Sequence, residues 1–140
     1  VGAYAICLRA GELLLARGFD PANGTLEWTL PGGGLMHGED PVVGAVREVA
    51  EETGYEVRVD GLLTIDSRVA PSHHAPPVDV HMLRIIYAAT VVGGDLRSEV
   101  GGSTDLAAWV PLDQVAGLRR LPFVDIGLDL ALGRDPAART

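Results

Sequence analysis

The sequence predicts an α/β domain, a sandwich of strands and helices. Three observations carry this. Short apolar stretches read as strands both before and after a segment of helical period, Pro41–Thr53, and a second helical segment, Pro122–Leu132, follows near the end. Hydrophobic residues make up 47% of the chain and charged ones 21%, which suits a packed globule rather than a disordered chain. At 140 residues the whole chain, 1–140, forms one domain long enough for a core.

Taken in order, residues 1–9 are apolar on both faces and read as a buried strand. Ala10-Gly11 turns into a leucine-rich strand over Glu12–Arg17. Residues 18–25, with Pro21, Asn23 and Gly24, read as a loop, and Glu27–Leu30 as a short strand. Pro31-Gly32-Gly33-Gly34 lets the backbone approach something closely. Asp40 and Pro41 mark a helix start and Gly54 its end; Val42, Ala45, Val46, Val49, Ala50 and Thr53 form one apolar stripe between them. Glu56–Asp60 and Leu62–Val69 read as two strands separated by Asp60-Gly61. Residues 70–78, with three prolines and the pair His73-His74, read as a lid or plain loop; adjacent histidines in such a loop rarely chelate one ion. Val80–Val92 is a central strand with Arg84 as its internal charge, residues 93–104 a glycine-rich loop, and Leu106–Val110 a last strand. Leu112–Gly117 is a short helical turn, and residues 135–140 are a frayed tail.

The central helix carries an unusual charge pattern. Glu48, Glu51 and Glu52 stand at i, i+3 and i+4 and share a face. Each like-charged pair costs an isolated helix roughly 0.2–0.5 kcal/mol. Arg47 offsets some of this. Three carboxylates aimed the same way invite a hard divalent cation bound through oxygen; a solvated acidic face is the plainer reading.

The spacing decides between them. Gly33, five residues, Glu39, seven residues, then Arg47-Glu48-Val49-Ala50-Glu51-Glu52-Thr53-Gly54 resembles the signature box of the Nudix hydrolase family. Tyr55 departs from it, since the family usually has an aliphatic residue there. Trp28-Thr29-Leu30-Pro31-Gly32-Gly33 before the box and Trp109-Val110-Pro111-Leu112 after it also resemble the family.

The resemblance implies an α/β/α sandwich, a mixed β-sheet between helices. It implies hydrolysis of a diphosphate linkage in a nucleoside diphosphate joined to another group, dependent on Mg2+ or Mn2+, which neutralises phosphate oxygens and lowers the pKa of bound water. By the same resemblance Glu48, Glu51 and Glu52 are metal ligands with the backbone carbonyl of Gly32. Arg47 orients them, and Glu39 braces the junction of loop and helix. The general base is a box glutamate or a carboxylate from a later loop, Glu99 or Asp105. Trp28 is a candidate stacking platform or a core aromatic, and Arg68 and Arg84 are candidate phosphate partners. Pro71, sixteen positions after Tyr55, matches a proline of the branch that hydrolyses ADP-ribose. ADP-ribose and related derivatives are therefore placed slightly ahead of nucleoside triphosphates, and isoprenoid or sugar diphosphates behind both. The alternative from another class is a nucleotide-binding sensor with little turnover.

Composition excludes other chemistry. All eleven basic residues are arginine, which removes a P-loop lysine, a Schiff-base lysine and a lysine nucleophile. A net charge of −8 argues against a nucleic acid polymer as partner, yet allows a small-molecule nucleotide where metal ions stand between carboxylates and phosphates. The apolar runs fall short of a membrane span and there is no signal-like segment. Cys7, the single cysteine, reads as a buried small side chain. A cytoplasmic address is expected, a homodimer is one of the assemblies open to the chain, and Val1 starts inside a strand pattern, so native residues are expected upstream.

Overall fold

The computed structural model describes residues 1–20, 24–71 and 78–138. In these, β1 (Gly2–Arg9), β2 (Glu12–Asp20), β3 (Thr25–Thr29) and β4 (Gly32–Gly34) precede helix α1 (Pro41–Thr53). Then come β5 (Tyr55–Pro71), β6 (Asp79–Gly94), β7 (Thr104–Pro111), a 3₁₀ turn over Leu112–Gly117, helix α2 (Pro122–Ala131) and a short turn over Pro136–Ala138. The strands form a mixed sheet in the order β3-β2-β1-β6-β5, with β4 added to β1 and β7 to β2. β1 runs parallel to β6, and the remaining pairings are antiparallel. No helix among the described residues is long and apolar enough to cross a membrane.

The sheet lies between the two helices. Alternation along β2 sends Leu14 to the α1 side, where it packs with Val49, Tyr55 and Val57, and sends Leu13 and Leu15 to the α2 side, with Phe123, Val124 and Leu128. On β1 the α1 side is small: Ala3, Ala5 and Cys7 are fully buried beneath the helix. Burial pushes the Cys7 thiol up to about 12, so it behaves as a small apolar side chain.

Helix α1 has the ends its sequence predicts. Asp40 accepts from the Val42 N–H at 2.9 Å, Pro41 opens the helix, and Gly54 closes it with φ 79° and an N–H bond of 3.0 Å to the Ala50 carbonyl. Gly54 is also a close-approach point: a Cβ there would run into the Asp95 carbonyl and crowd Arg97, whose N–H bonds the Thr53 carbonyl at 2.8 Å.

Three segments differ from expectation. Residues 18–20 extend β2, because Gly18, Phe19 and Asp20 pair with Glu27, Leu26 and Thr25 across a hairpin. Asp60-Gly61 does not break the chain into separate strands. It continues as one long β5 along β6, and register shifts between Val59 and Gly61 and between Leu62 and Thr64 absorb the irregular residues. Of the tail, residues 136–138 form a short 3₁₀ turn, with Asp135 accepting the Ala137 N–H at 2.9 Å. The expected histidine loop lies almost wholly outside the described residues, as does the tip of the 18–25 segment.

Gly54→Ala combines a left-handed backbone with a backbone collision. It is expected to lower unfolding free energy by on the order of 1–3 kcal/mol, read from urea denaturation at constant m-value.

Candidate active site

The helix α1 carboxylates diverge in space. Glu52 turns inward, 1% exposed, and its Oε1 accepts the Gly32 N–H at 2.6 Å. Glu48 is half-buried over Gly33, where a Cβ would meet its carboxylate at 2.7 Å. Glu51 stays out, with 47% of its side chain exposed. The short strand β4 makes this arrangement possible. Gly32 has φ 152°, and a side chain there would strike the Ala3 carbonyl and the Tyr4 ring, so only glycine brings its N–H to Glu52.

Arg47 ties the outer carboxylates together. Its Nε donates to Glu39 Oε2 and its Nη2 to Glu39 Oε1, each at 2.8 Å. Nη1 reaches Glu48 at 3.0 Å and Glu51 at 3.2 Å, and Nη2 also meets the Gly34 carbonyl at 3.3 Å. Glu39 accepts the Met36 N–H at 3.0 Å as well, so it braces the loop before the helix as expected. The Arg47 bonds, helped by that N–H, hold the Glu39 carboxyl down at about 2, and Arg47 itself is raised chiefly by Glu39.

Glu52 is the electrostatic opposite. Burial pushes its pKa up to about 8, with Glu48 and Glu99 adding like charge, against the lowering effect of Gly32 N–H and the Thr104 hydroxyl. Burial also raises Glu48, which Arg47 only partly relieves. Glu99 arrives from the loop after β6. That loop is pinned by the Arg97 N–H on Thr53 and by Ser98 Oγ, which accepts the Ala107 N–H at 3.1 Å. Thr104 Oγ1 donates to Glu99 at 3.3 Å. Asp105, the other late carboxylate, is engaged elsewhere: Arg17 donates to both its oxygens, at 3.1 and 2.9 Å, and pulls its carboxyl below the usual range.

The candidate donors are carboxylate oxygens and the Gly32 carbonyl, all oxygen, the chemistry a hard cation prefers. A buried Glu52 flanked by like charges is also what a bound cation relieves. The geometry is less ready. Among the described residues no three carboxylate, imidazole or thiol groups stand close enough to grip one ion: Glu51 is exposed and bonds Arg47, while Glu52 is buried against Gly32.

The substrate candidates divide. Arg68 and Arg84 line one concavity of about 340 Å³ with Gly18, Phe19, Glu27 and Met82. Arg84 is engaged as well: it sits 3.6 Å from Asp66 and lies over the Phe123 ring at 4.6 Å, and its positive charge partly offsets the rise that burial causes in the Tyr4 pKa. Trp28 lies outside that lining. It packs against the α2-side core with Arg17 5.8 Å above its ring. Pro71 ends β5 opposite Asp79. Nothing in the sequence marks Tyr4 or Thr104, whose roles come from the β1–β4 register and the β7 start.

A sequence model of the NUDIX domain matches residues 1–127. The chain belongs to the Nudix family. A MutT-like protein of Streptomyces ambofaciens is 54% identical over 130 residues, 93% of this chain and 75% of that protein. A Bacillus subtilis (strain 168) protein that carries the provisional name ADP-ribose pyrophosphatase YjhB is 35% identical over 92 residues, 65% of this chain and 42% of that one. The chain thus spans about two fifths of the length of this second relative. Among solved structures, a Nudix hydrolase from Nitrosomonas europaea superposes with a TM-score of 0.78 at 23% identity, covering 94% of this chain and 87% of that one. The Nudix fold accounts for the mixed sheet between two helices and for the box helix facing the Gly32–Gly34 strand.

Glu52 sets a pH dependence whose sign follows from linkage. Its folded pKa of about 8 lies above the ordinary 4.5. Its contribution therefore favours the fold below about pH 4.5 and is lost as the pH rises to about 8. In the absence of metal, thermal stability is expected to fall between pH 5 and 8. Glu52→Gln should flatten that fall, and millimolar Mg2+ or Mn2+ should restore more stability at pH 8 than at pH 5. Melting curves of both proteins across that range check this.

Proposed function

We propose that this Nudix domain is a pyrophosphohydrolase that cleaves a diphosphate linkage in a nucleoside diphosphate derivative of the ADP-ribose class, with divalent metal. The observation that carries the proposal is the buried Glu52 carboxylate, tied to Gly32 and crowded by Glu48 and Glu99. A purely structural site has little use for a carboxylate held under such strain of charge. Glu48, Glu51, Glu52 and the Gly32 carbonyl would hold Mg2+ or Mn2+. That ion supplies charge neutralisation on the phosphates and a more acidic bound water.

The chain's own residues do the rest. Arg47 fixes Glu48 and Glu51 from behind, and Glu39 fixes Arg47. Glu99, on a pinned loop beside Glu52 and Glu48, is the favoured acceptor for the proton of the attacking water. Asp105 is less suited, since Arg17 occupies both its oxygens. Arg84 and Arg68 supply positive charge on the other side of Tyr4, where the far phosphate and the nucleoside would lie. The provisional ADP-ribose pyrophosphatase name of one relative supports this substrate class, as does the position of Pro71.

Side-by-side measurement of kcat/KM with Mg2+ and Mn2+ tests the substrate. ADP-ribose is expected to exceed dGTP and oxidised dGTP; a triphosphate preferred by more than about tenfold overturns that class. Glu52→Gln is expected to keep the fold and lower kcat on the order of a thousandfold or more. Glu39→Gln should cost much less. Equal turnover by wild type and Glu52→Gln would remove Glu52 from the mechanism.

A further inference from the structure

We propose that the concavity between the β2–β3 hairpin and the β5–β6 ribbon is a nucleobase pocket selective for bases with an amine at the 6-position of a purine or the 4-position of a pyrimidine, and that Glu27 reads that amine. The inference rests on the nucleotide substrate proposed above and adds the portion of the nucleotide that is recognised.

The cavity, about 340 Å³, has walls of opposite charge. Arg68 and Arg84 stand on the β5–β6 side and Glu27 on the hairpin side. A volume of this size suits a small ligand with an apolar body and a few fixed polar contacts. The apolar body has its surfaces here. Phe19 lines the cavity with 60% of the residue exposed, a costly state for a phenyl ring and a ready platform for a base; Met82 and Leu121 line it too. Glu27 supplies the polar contact. Its side chain is 15% exposed, and Arg119 Nη2 lies 3.5 Å from Oε1 and anchors it. The residue paired with Glu27 across the hairpin is Gly18, which also lines the cavity and places no side chain over the carboxylate.

An ionised carboxylate only accepts hydrogen bonds. The amine of adenine or cytosine donates to it. Hypoxanthine and uracil carry a carbonyl oxygen at that position, which sets lone pairs against lone pairs. Discrimination of this kind is strong because the wrong base leaves a polar group facing a repulsive partner.

The location agrees with the rest of the nucleotide. Arg84 also lines a smaller neighbouring concavity of about 210 Å³ together with Tyr4 and Gly34. Gly34 in turn accepts from Arg47. The two concavities share Met82 and Arg84, and the second reaches Gly34, whose carbonyl bonds Arg47 of α1. A base at Glu27 would send its phosphates past Arg84 toward Glu48 and Glu52.

Calorimetric titration of the full chain with AMP, IMP, CMP and UMP in Mg2+ tests the pocket. None of these has a diphosphate linkage, so binding is read without turnover. Wild type should bind AMP over IMP, and CMP over UMP, by at least about tenfold. In Glu27→Gln both ratios should collapse to within about twofold while AMP still binds, since an amide presents either an oxygen or an NH2. Equal binding of AMP and IMP, no binding of any of the four at millimolar concentration, or unchanged ratios in Glu27→Gln overturns the assignment. If Glu27→Gln does not fold, the wild-type ratios decide alone. A chain that keeps the ratios but hydrolyses no diphosphate refutes the proposed reaction and leaves the pocket. One that hydrolyses ADP-ribose without base preference does the reverse.

Discussion

The 2.6 Å bond from the Gly32 N–H to Glu52 joins the two elements that define the site. One is β4, laid antiparallel on β1; the other is α1, seated on the same strand through Ala3, Ala5 and Cys7. Small residues on β1 let the helix sit low over the sheet. Gly32 then meets Glu52 without a side chain between them. A larger residue at Ala3 or Ala5 would lift α1, and a Cβ at Gly32 would push β4 off Tyr4. The carboxylate is thus buried as a consequence of packing, and its raised pKa follows from that burial before any neighbouring charge is counted.

Arg47 solves the opposite problem. Glu48 and Glu51 on the helix and Glu39 in the loop before it would repel one another, and a single guanidinium answers all three. Its planar fork takes Glu39 with two parallel bonds and still spares Nη1 for the other two. A lysine, as a point charge, could not bind in this way. The result is two classes of carboxylate around one helix: outer ones neutralised by a guanidinium, and an inner one met by a backbone N–H.

Much of this was legible in the sequence, and the reasons differ by element. Helix α1 was legible because its punctuation is local: Asp40, Pro41 and Gly54 act within their own turns. The family spacing suggested that Arg47 orients the box glutamates and that Glu39 braces the junction of loop and helix; that the two residues bond each other is visible only in the structure. The long β5 was not legible, because Asp60-Gly61 carries the local signature of a turn while pairing with β6 overrides it through register shifts. The hairpin of β2 and β3 was shortened for the same reason. At the site, i, i+3, i+4 spacing put three glutamates on one helical face but could not say that one turns in and another out. That depends on where β4 and Arg47 lie. Tyr4, Thr104 and Glu27 carry no local mark at all; they become visible only when the strands are laid side by side.

The acidity of the chain raises a question that its architecture answers. In the proposed reaction a protein of net charge −8 with no lysine must hold a polyanion, and long-range attraction works against it. Of the arginines near the cavities, Arg84 is held by Asp66 and the Phe123 ring, and Arg47, which bonds the Gly34 carbonyl, is held by its three carboxylates. Fixed arginines lose little freedom when a phosphate arrives, which partly offsets the unfavourable field. In that reading the remaining attraction would come from divalent cations at the carboxylates and from contacts to the uncharged portion of the ligand. A substrate with a base and a ribose offers such contacts, and a free triphosphate tail adds charge that this surface is poorly equipped to meet. The low positive charge of the surface is thus consistent with the proposed substrate class, in which the nucleoside contributes recognition and the diphosphate carries only the charge that the reaction requires.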